Sequence, residues 1–75
     1  MTFEKIKEIL VENLGLGEDE VTLEADIQED LGADSLDIME IVICVKDEFD
    51  ITIEDDEIQN MNTVADLVNY IDKKN

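Results

Sequence analysis

The chain has 75 residues and a formal net charge of −17, with 22 acidic residues, five lysines, no histidine and no arginine. Nucleic acids and anionic membranes are therefore poor partners, because both are polyanions, and without histidine there is no ordinary general base or imidazole metal ligand near neutral pH. The single cysteine, Cys44, excludes an internal disulfide and fits a reducing compartment. No targeting segment is visible, which favours the bacterial cytoplasm, although a processed organellar chain would look the same.

Apolar residues three and four positions apart predict a first helix that starts after Thr2, which is expected to cap it, and ends at Gly15. Its buried face is predicted to consist of Phe3, Ile6, Ile9, Leu10 and Leu14. The connection from Gly15 to Asp34 is long for a compact domain. We expect a loop pinned to the core, with a short helical turn between Thr22 and Ile27. Its expected anchors are Leu16, Val21, Leu23, Ile27 and Leu31.

A second helix is predicted from Asp34 to Asp50. Asp34 is a good N-cap, and Asp37 stands three residues further on, as in a capping box. The β-branched run from Ile41 to Val45 would also suit a buried strand, but the capped start, the interspersed acids and the lack of a partner strand favour a helix. Apolar residues surround it almost completely, which predicts burial on more than one side.

The remainder of the chain predicts a short bridge, a short helix and a last helix. Residues 51–53 are expected to be extended, and Glu54 to Asn60 to form one or two helical turns. Asn62 or Thr63 is expected to cap the last helix, with Thr63 and Asp66 forming a capping box. Its predicted buried face is Val64, Leu67, Val68 and Ile71. The predicted fold class is all-α: one domain over residues 1–75, a small four-helix bundle with three longer helices, a short third helix and a long first loop.

Acidic and amide side chains in the long loop come close to the spacing of a calcium-binding loop. These are Asp26, Gln28, Asp30, Asp34 and Asp37. However, Leu31 stands where that loop requires glycine, and its last position holds Asp37 in place of the bidentate glutamate. We therefore expect no calcium-binding loop and no specific metal site, which leaves open only weak, nonspecific binding of divalent ions to the clustered carboxylates.

The segment from Gly32 to Asp37, followed by an apolar and acidic helix and then Ile51-Thr52-Ile53, resembles the acyl carrier proteins over essentially the whole chain. The resemblance implies that Ser35 is esterified by 4′-phosphopantetheine, donated from coenzyme A by a separate phosphopantetheinyl transferase. Acyl chains then ride on the terminal thiol as thioesters. Because the chain has no catalytic constellation, we expect a carrier and not an enzyme.

The expected role is delivery of acyl chains to enzymes of fatty-acid biosynthesis. Two alternatives are a specialised carrier for polyketide or other acyl synthesis, and an acidic helical adaptor that is never modified. Lys46 stands where the family commonly has an acid, which leaves open whether this is the general fatty-acid carrier or a specialised one.

The charge pattern predicts partner enzymes with basic docking surfaces, because the stretch from Glu18 to Glu57 holds 17 acids and one base, Lys46. The protein itself is expected to be a monomer. By resemblance, the residues that face partners are Asp34, Leu36, Asp37, Met39, Glu40, Ile43, Asp47 and Asp55. By resemblance, the residues that line a space for the acyl chain are Ile41, Val45, Ile53, Ile58, Met61 and Leu67.

Overall fold

Helices dominate the fold of the computed structural model, which describes residues 2–74. No strand is present in that range, although an isolated antiparallel bridge pairs Asp26 with Thr63. This confirms the all-α class and the four-helix arrangement with a short third helix. The elements are α1 (Thr2–Leu14), a 3₁₀ helix (Glu18–Glu20), α2 (Ser35–Phe49), α3 (Asp55–Gln59) and α4 (Val64–Lys74).

The core forms where α1 packs against both α2 and α4. As predicted, the buried face of α4 consists of Val64, Leu67, Val68 and Ile71. The buried residues of α1 are Ile6, Ile9 and Leu10, whereas Phe3 and Leu14 pack against the core while partly exposed. Burying such side chains contributes roughly 1.5–3 kcal/mol each, which makes this core the main source of stability.

The two ends of α1 differ in how well they were predicted. Gly15 has a φ of +68° and its N–H donates to the Val11 carbonyl at 2.9 Å, so the helix ends at this glycine as expected. Thr2 lies inside the helix, and its hydroxyl donates to Asp72 Oδ1 at 2.6 Å. Thr2 therefore ties α1 to α4, and the prediction that it caps α1 is wrong.

The long connection is held to the core mainly by Val21, Ile27 and Leu31, all of which are buried as predicted. Leu16 is half-buried, but Leu23 is 42% exposed, so the prediction that it anchors the loop is wrong. Two buried alanines, Ala25 and Ala33, complete the contact and had not been predicted.

The 3₁₀ helix of this connection lies at Glu18–Glu20, before the predicted position between Thr22 and Ile27. The predicted segment forms one hydrogen-bonded turn, in which Ala25 N–H donates to the Thr22 carbonyl at 3.2 Å, but no helix. There, the backbone instead meets the start of α4. Val64 N–H donates to the Ala25 carbonyl at 3.0 Å, and Ala65 N–H donates to the Leu23 carbonyl at 2.9 Å. The loop thus satisfies amides that the first turn of a helix leaves without partners, and these long-range bonds hold the loop out of a helical conformation.

Helix α2 is buried on one side and exposed on another. Ile41 and Val45 are buried, whereas Leu36, Met39 and Ile43 are 72%, 61% and 57% exposed. The prediction of burial on more than one side is therefore wrong. Part of the apolar surface of α2 faces solvent.

Candidate functional site

The start of α2 is fixed by a tight set of local contacts. Gly32 takes a φ of +77°, which glycine adopts without strain. Ala33 is buried, and its N–H donates to the Ile27 carbonyl at 3.1 Å. The predicted capping box is confirmed: Asp37 N–H donates to Asp34 Oδ1 at 2.9 Å, and Asp34 N–H donates to Asp37 Oδ2 at 3.3 Å.

Ser35, the only serine of the chain, is the first residue of α2 and is exposed. The carboxylates on either side of it bind backbone N–H groups, so the capping box is complete without the serine hydroxyl. A hydroxyl on a helix start held in this way is both accessible and fixed in position. Such a position suits a covalently attached group.

A cavity of about 480 Å³ opens beside Ser35, which is one of its lining residues. This volume falls within the roughly 300–1,000 Å³ usual for small-molecule sites. Of the predicted acyl-chain residues, Val45 alone does not line it, because its side chain is completely buried in the core. The predicted residues that do line it are Ile41, Ile53, Ile58, Met61 and Leu67.

Several lining residues had not been predicted. Ile27 comes from the long loop, whereas Ile38 and Val42 come from α2 next to the predicted Ile41. Nothing in the local sequence distinguishes these from ordinary core residues, because the cavity forms only when the loop, α2 and α3 come together.

An exposed apolar stripe runs along α2 from the Ser35 end. It consists of Leu36, Met39 and Ile43, which lie three or four residues apart and so share one face. Large apolar residues grouped on a surface are typical of an interaction site. The other predicted partner residues are acids: Asp34, Glu40, Asp47 and Asp55 are exposed, and Asp37 is half-buried.

The wall of the cavity formed by α3 is joined to α4 through Tyr70. The Tyr70 hydroxyl lies 2.8 Å from Glu57 Oε1 and 3.2 Å from the Thr52 carbonyl oxygen. Burial, followed by the hydrogen bond to Glu57 and nearby acids, raises the pKa of Tyr70 to about 12. The same hydrogen bond lowers the pKa of Glu57. This contact was missed from the sequence, where the only signal was that Tyr70 is the single tyrosine.

No helix within residues 2–74 is long and apolar enough to cross a membrane. Over the same range, no group of three or more cysteine and acidic side chains is arranged to hold a metal ion.

Comparison with known proteins identifies the class to which this site belongs. Residues 4–71 match the family model described as the phosphopantetheine attachment site. Among solved structures, the chain is similar to an acyl carrier protein from Enterococcus faecalis whose study concerns its high thermal stability. The TM-score is 0.84 and the sequence identity is 32%, covering 99% of this chain and 94% of that one. The chain belongs to the phosphopantetheine-attachment family and is an acyl carrier protein by fold.

The cofactor of this family is 4′-phosphopantetheine. The residues present fit such a group, because an exposed hydroxyl, Ser35, lies on a rigid helix start at the side of a largely apolar cavity. Membership of this family makes the protein a carrier of acyl groups.

Proposed function

We propose that Ser35 is the attachment residue for 4′-phosphopantetheine and that the loaded protein delivers acyl chains to enzymes of fatty-acid biosynthesis. One observation carries this proposal: the only serine of the chain is exposed at the capped start of α2 and also lines the cavity. When bound, the group supplies a terminal thiol that holds the acyl chain as a thioester.

Attachment forms a bond between Ser35 Oγ and the phosphorus that bears the pantetheine in coenzyme A. It breaks the pyrophosphate P–O bond, so that adenosine 3′,5′-bisphosphate leaves, and the hydroxyl proton is lost. The chain has no histidine to accept that proton, and the neighbouring carboxylates of Asp34 and Asp37 already bind backbone N–H groups. We therefore assign the base to a separate phosphopantetheinyl transferase that uses coenzyme A as donor. The protein's own contribution is to present the hydroxyl in a fixed position.

The cavity beside Ser35 is the proposed shelter for the acyl chain. Its apolar walls favour an alkyl chain, since burying each methylene contributes about 0.8 kcal/mol. The proposed lining from the predicted set is Ile41, Ile53, Ile58, Met61 and Leu67.

The exposed stripe of α2 and the acids around it are the proposed docking surface for the transferase and for acyl-processing enzymes. Leu36, Met39 and Ile43 supply the apolar contact area, while the acids attract a basic rim on the partner. Exposed ion pairs contribute only about 0–1 kcal/mol each. They therefore guide docking and leave release fast, as a carrier that visits several enzymes in turn requires. We further propose that the carrier acts as a monomer in the cytoplasm.

The decisive experiment is incubation with coenzyme A and a phosphopantetheinyl transferase, followed by intact-mass measurement. The parent protein should gain one phosphopantetheine group, and Ser35→Ala should gain none. Thr22→Ala is the matched control, because it removes an exposed hydroxyl from the long loop and should be loaded like the parent. An unmodified parent, or a loaded Ser35→Ala, would overturn the proposal, and the former would favour an unmodified adaptor.

A further inference from the structure

Helix α3 forms one wall of the cavity but has little packing of its own. It has five residues, none of them buried, and Ile58 is its half-buried contribution to the lining. Ile53 before it and Met61 after it also line the cavity. A helix this short does not persist through its own hydrogen bonds. The position of this wall, and with it the width of the cavity, must therefore be set by contacts with other elements.

Tyr70 provides such a contact from α4, which is anchored in the core. It lies on α4, whose other face is buried in the core. Its hydroxyl reaches the Thr52 carbonyl, just before α3, and the Glu57 carboxylate, within α3. Because a phenol has one hydrogen, the shorter contact of 2.8 Å to Glu57 Oε1 is the main hydrogen bond. The same oxygen accepts from Glu54 N–H at 3.2 Å, so the tyrosine is linked to the first turn of α3 as well.

We propose that Tyr70 is a positioning residue for the acyl cavity, where its hydroxyl holds α3 against α4 and so limits how far the cavity opens for a long acyl chain. The first part of this proposal, that Tyr70 holds α3 against α4, concerns the unmodified protein. The second part, that this contact limits the opening of the cavity for an acyl chain, rests on the function proposed above. A charge-assisted hydrogen bond is stronger than one between neutral groups, which makes this contact suited to holding a short element.

The hold on α3 is tested by hydrogen exchange on the unmodified protein. Tyr70→Phe removes the hydroxyl and keeps the ring. Thr2→Val is the matched control, because it removes the other hydroxyl-to-carboxylate bond made with α4, the one to Asp72, away from the cavity. Amides of the α3 turn, such as those of Ile58 and Met61, which donate within it at 3.0 and 3.1 Å, report its opening.

In Tyr70→Phe these amides should exchange on the order of tenfold faster, or more, relative to those of α1. In Thr2→Val their rates relative to α1 should not change. Equal patterns of amide exchange in the two variants, or unchanged exchange rates of the α3 amides in Tyr70→Phe, would contradict the proposal that Tyr70 holds α3 against α4. Should Tyr70→Phe not fold, Glu57→Gln keeps a side-chain oxygen for Glu54 N–H but replaces the charge-assisted bond to Tyr70 with a neutral one, and it must accelerate exchange of the same amides.

The limit on the acyl chain is tested on protein loaded with an octanoyl or a hexadecanoyl chain. The measured quantity is the ratio of two shifts in unfolding midpoint, the one caused by the hexadecanoyl chain divided by the one caused by the octanoyl chain. This ratio should increase in Tyr70→Phe and stay unchanged in Thr2→Val. An equal ratio in all three proteins would overturn the limit. A parent protein that cannot be loaded would contradict the proposed function, and a midpoint that neither chain shifts would contradict the proposed role of the cavity. In both cases, hydrogen exchange still tests whether Tyr70 holds α3 against α4.

Discussion

Ser35 is placed by its neighbours. Asp34 and Asp37 satisfy each other's backbone N–H groups, Ala33 is buried, and Gly32 allows the sharp entry into α2. The Ser35 side chain is therefore exposed at a helix start whose backbone is fixed on both sides of it. Under the proposed function, several enzymes recognise this position, and such rigidity favours their binding because less conformational freedom is lost at each encounter.

Lys46 is the single base among 17 acids between Glu18 and Glu57, and it is exposed on α2 three residues after Ile43. If partners dock through basic surfaces, this lysine opposes the approach. Lys46→Glu should then speed acyl loading by fatty-acid enzymes a few-fold, mainly through the association rate, and the gain should shrink as salt is added. The measurement is the initial rate of loading at low and at physiological ionic strength.

The matched variant for this test is Lys5→Glu, which makes the same charge change at an exposed position of α1. It should alter the rate much less, because its charge lies outside the proposed docking surface. Equal effects of the two substitutions would mean that net charge alone is being sensed. A slower rate in Lys46→Glu would instead indicate a partner with a carboxylate opposite this lysine, as a specialised carrier would have.

The helix ends show what was predictable from the sequence. Each capping box uses residues three apart, so Asp34 with Asp37 and Thr63 with Asp66 were found from spacing alone. Elements whose conformation depends on residues distant in the chain could not be predicted in this way. The turn predicted after Thr22 forms, with Ala25 N–H donating to the Thr22 carbonyl, but it does not become a helix. The carbonyls of Leu23 and Ala25 accept instead from Ala65 and Val64 at the start of α4.

The candidate site also combines features that local sequence predicts with features that depend on the packing of distant elements. Exposed Leu36 and buried Ile41 belong to the same helix and have similar hydropathy, so composition alone could not assign them to opposite faces. The resemblance to a known family, not the periodicity, indicated that Leu36 faces partners. The Tyr70 contact with Glu57 escaped prediction because it joins two helices whose relative position only the fold defines.

The capping box of α4 predicts a measurable pH dependence. Asp66 accepts from Asn62 N–H at 3.0 Å and from Thr63 N–H at 3.1 Å, and these backbone bonds lower its pKa from the ordinary value of 3.8. A carboxylate with a lowered pKa stabilises the fold above its ordinary value, and that contribution is lost as the pH falls through the lowered value. Asp66→Asn should therefore reduce the unfolding free energy at about pH 6 but much less at about pH 2.

Urea unfolding at both pH values measures this difference. Thr63→Val is the matched variant, because it removes the hydroxyl that accepts from Asp66 N–H at 3.2 Å and has no titratable group. Its effect should depend much less on pH than that of Asp66→Asn, because the Thr63 side chain contributes least to lowering the pKa of Asp66. Glu57, whose pKa is also lowered, contributes in the same direction in all three proteins and so cancels in the comparison. An Asp66→Asn effect as large at low pH as at high pH would contradict the role assigned to its charge.

The whole molecule is small compared with the reach of its charges. The Cα atoms of residues 2–74 span 27 × 25 × 20 Å, and the chain carries a net charge of −17. At about 10 mM salt the screening length is roughly 30 Å, so every acid repels every other acid across the fold; at about 0.1 M it is roughly 10 Å, so only neighbours interact. Folding brings these charges together, and the repulsion destabilises the compact state more than the expanded one.

Raising the ionic strength from about 10 mM to about 0.15 M should therefore stabilise the protein by an amount on the order of 1 kcal/mol. For a domain of this size, that corresponds to a rise in thermal midpoint of roughly 4–8 °C. Sodium chloride and tetramethylammonium chloride should act alike if screening is the cause, whereas a larger effect of sodium would indicate bound cations. A variant in which Glu18, Asp19 and Glu29, all exposed in the long connection, become amides should start from a higher midpoint at low salt and gain less from added salt. A midpoint independent of ionic strength would show that the excess of acids is too dispersed to strain the fold.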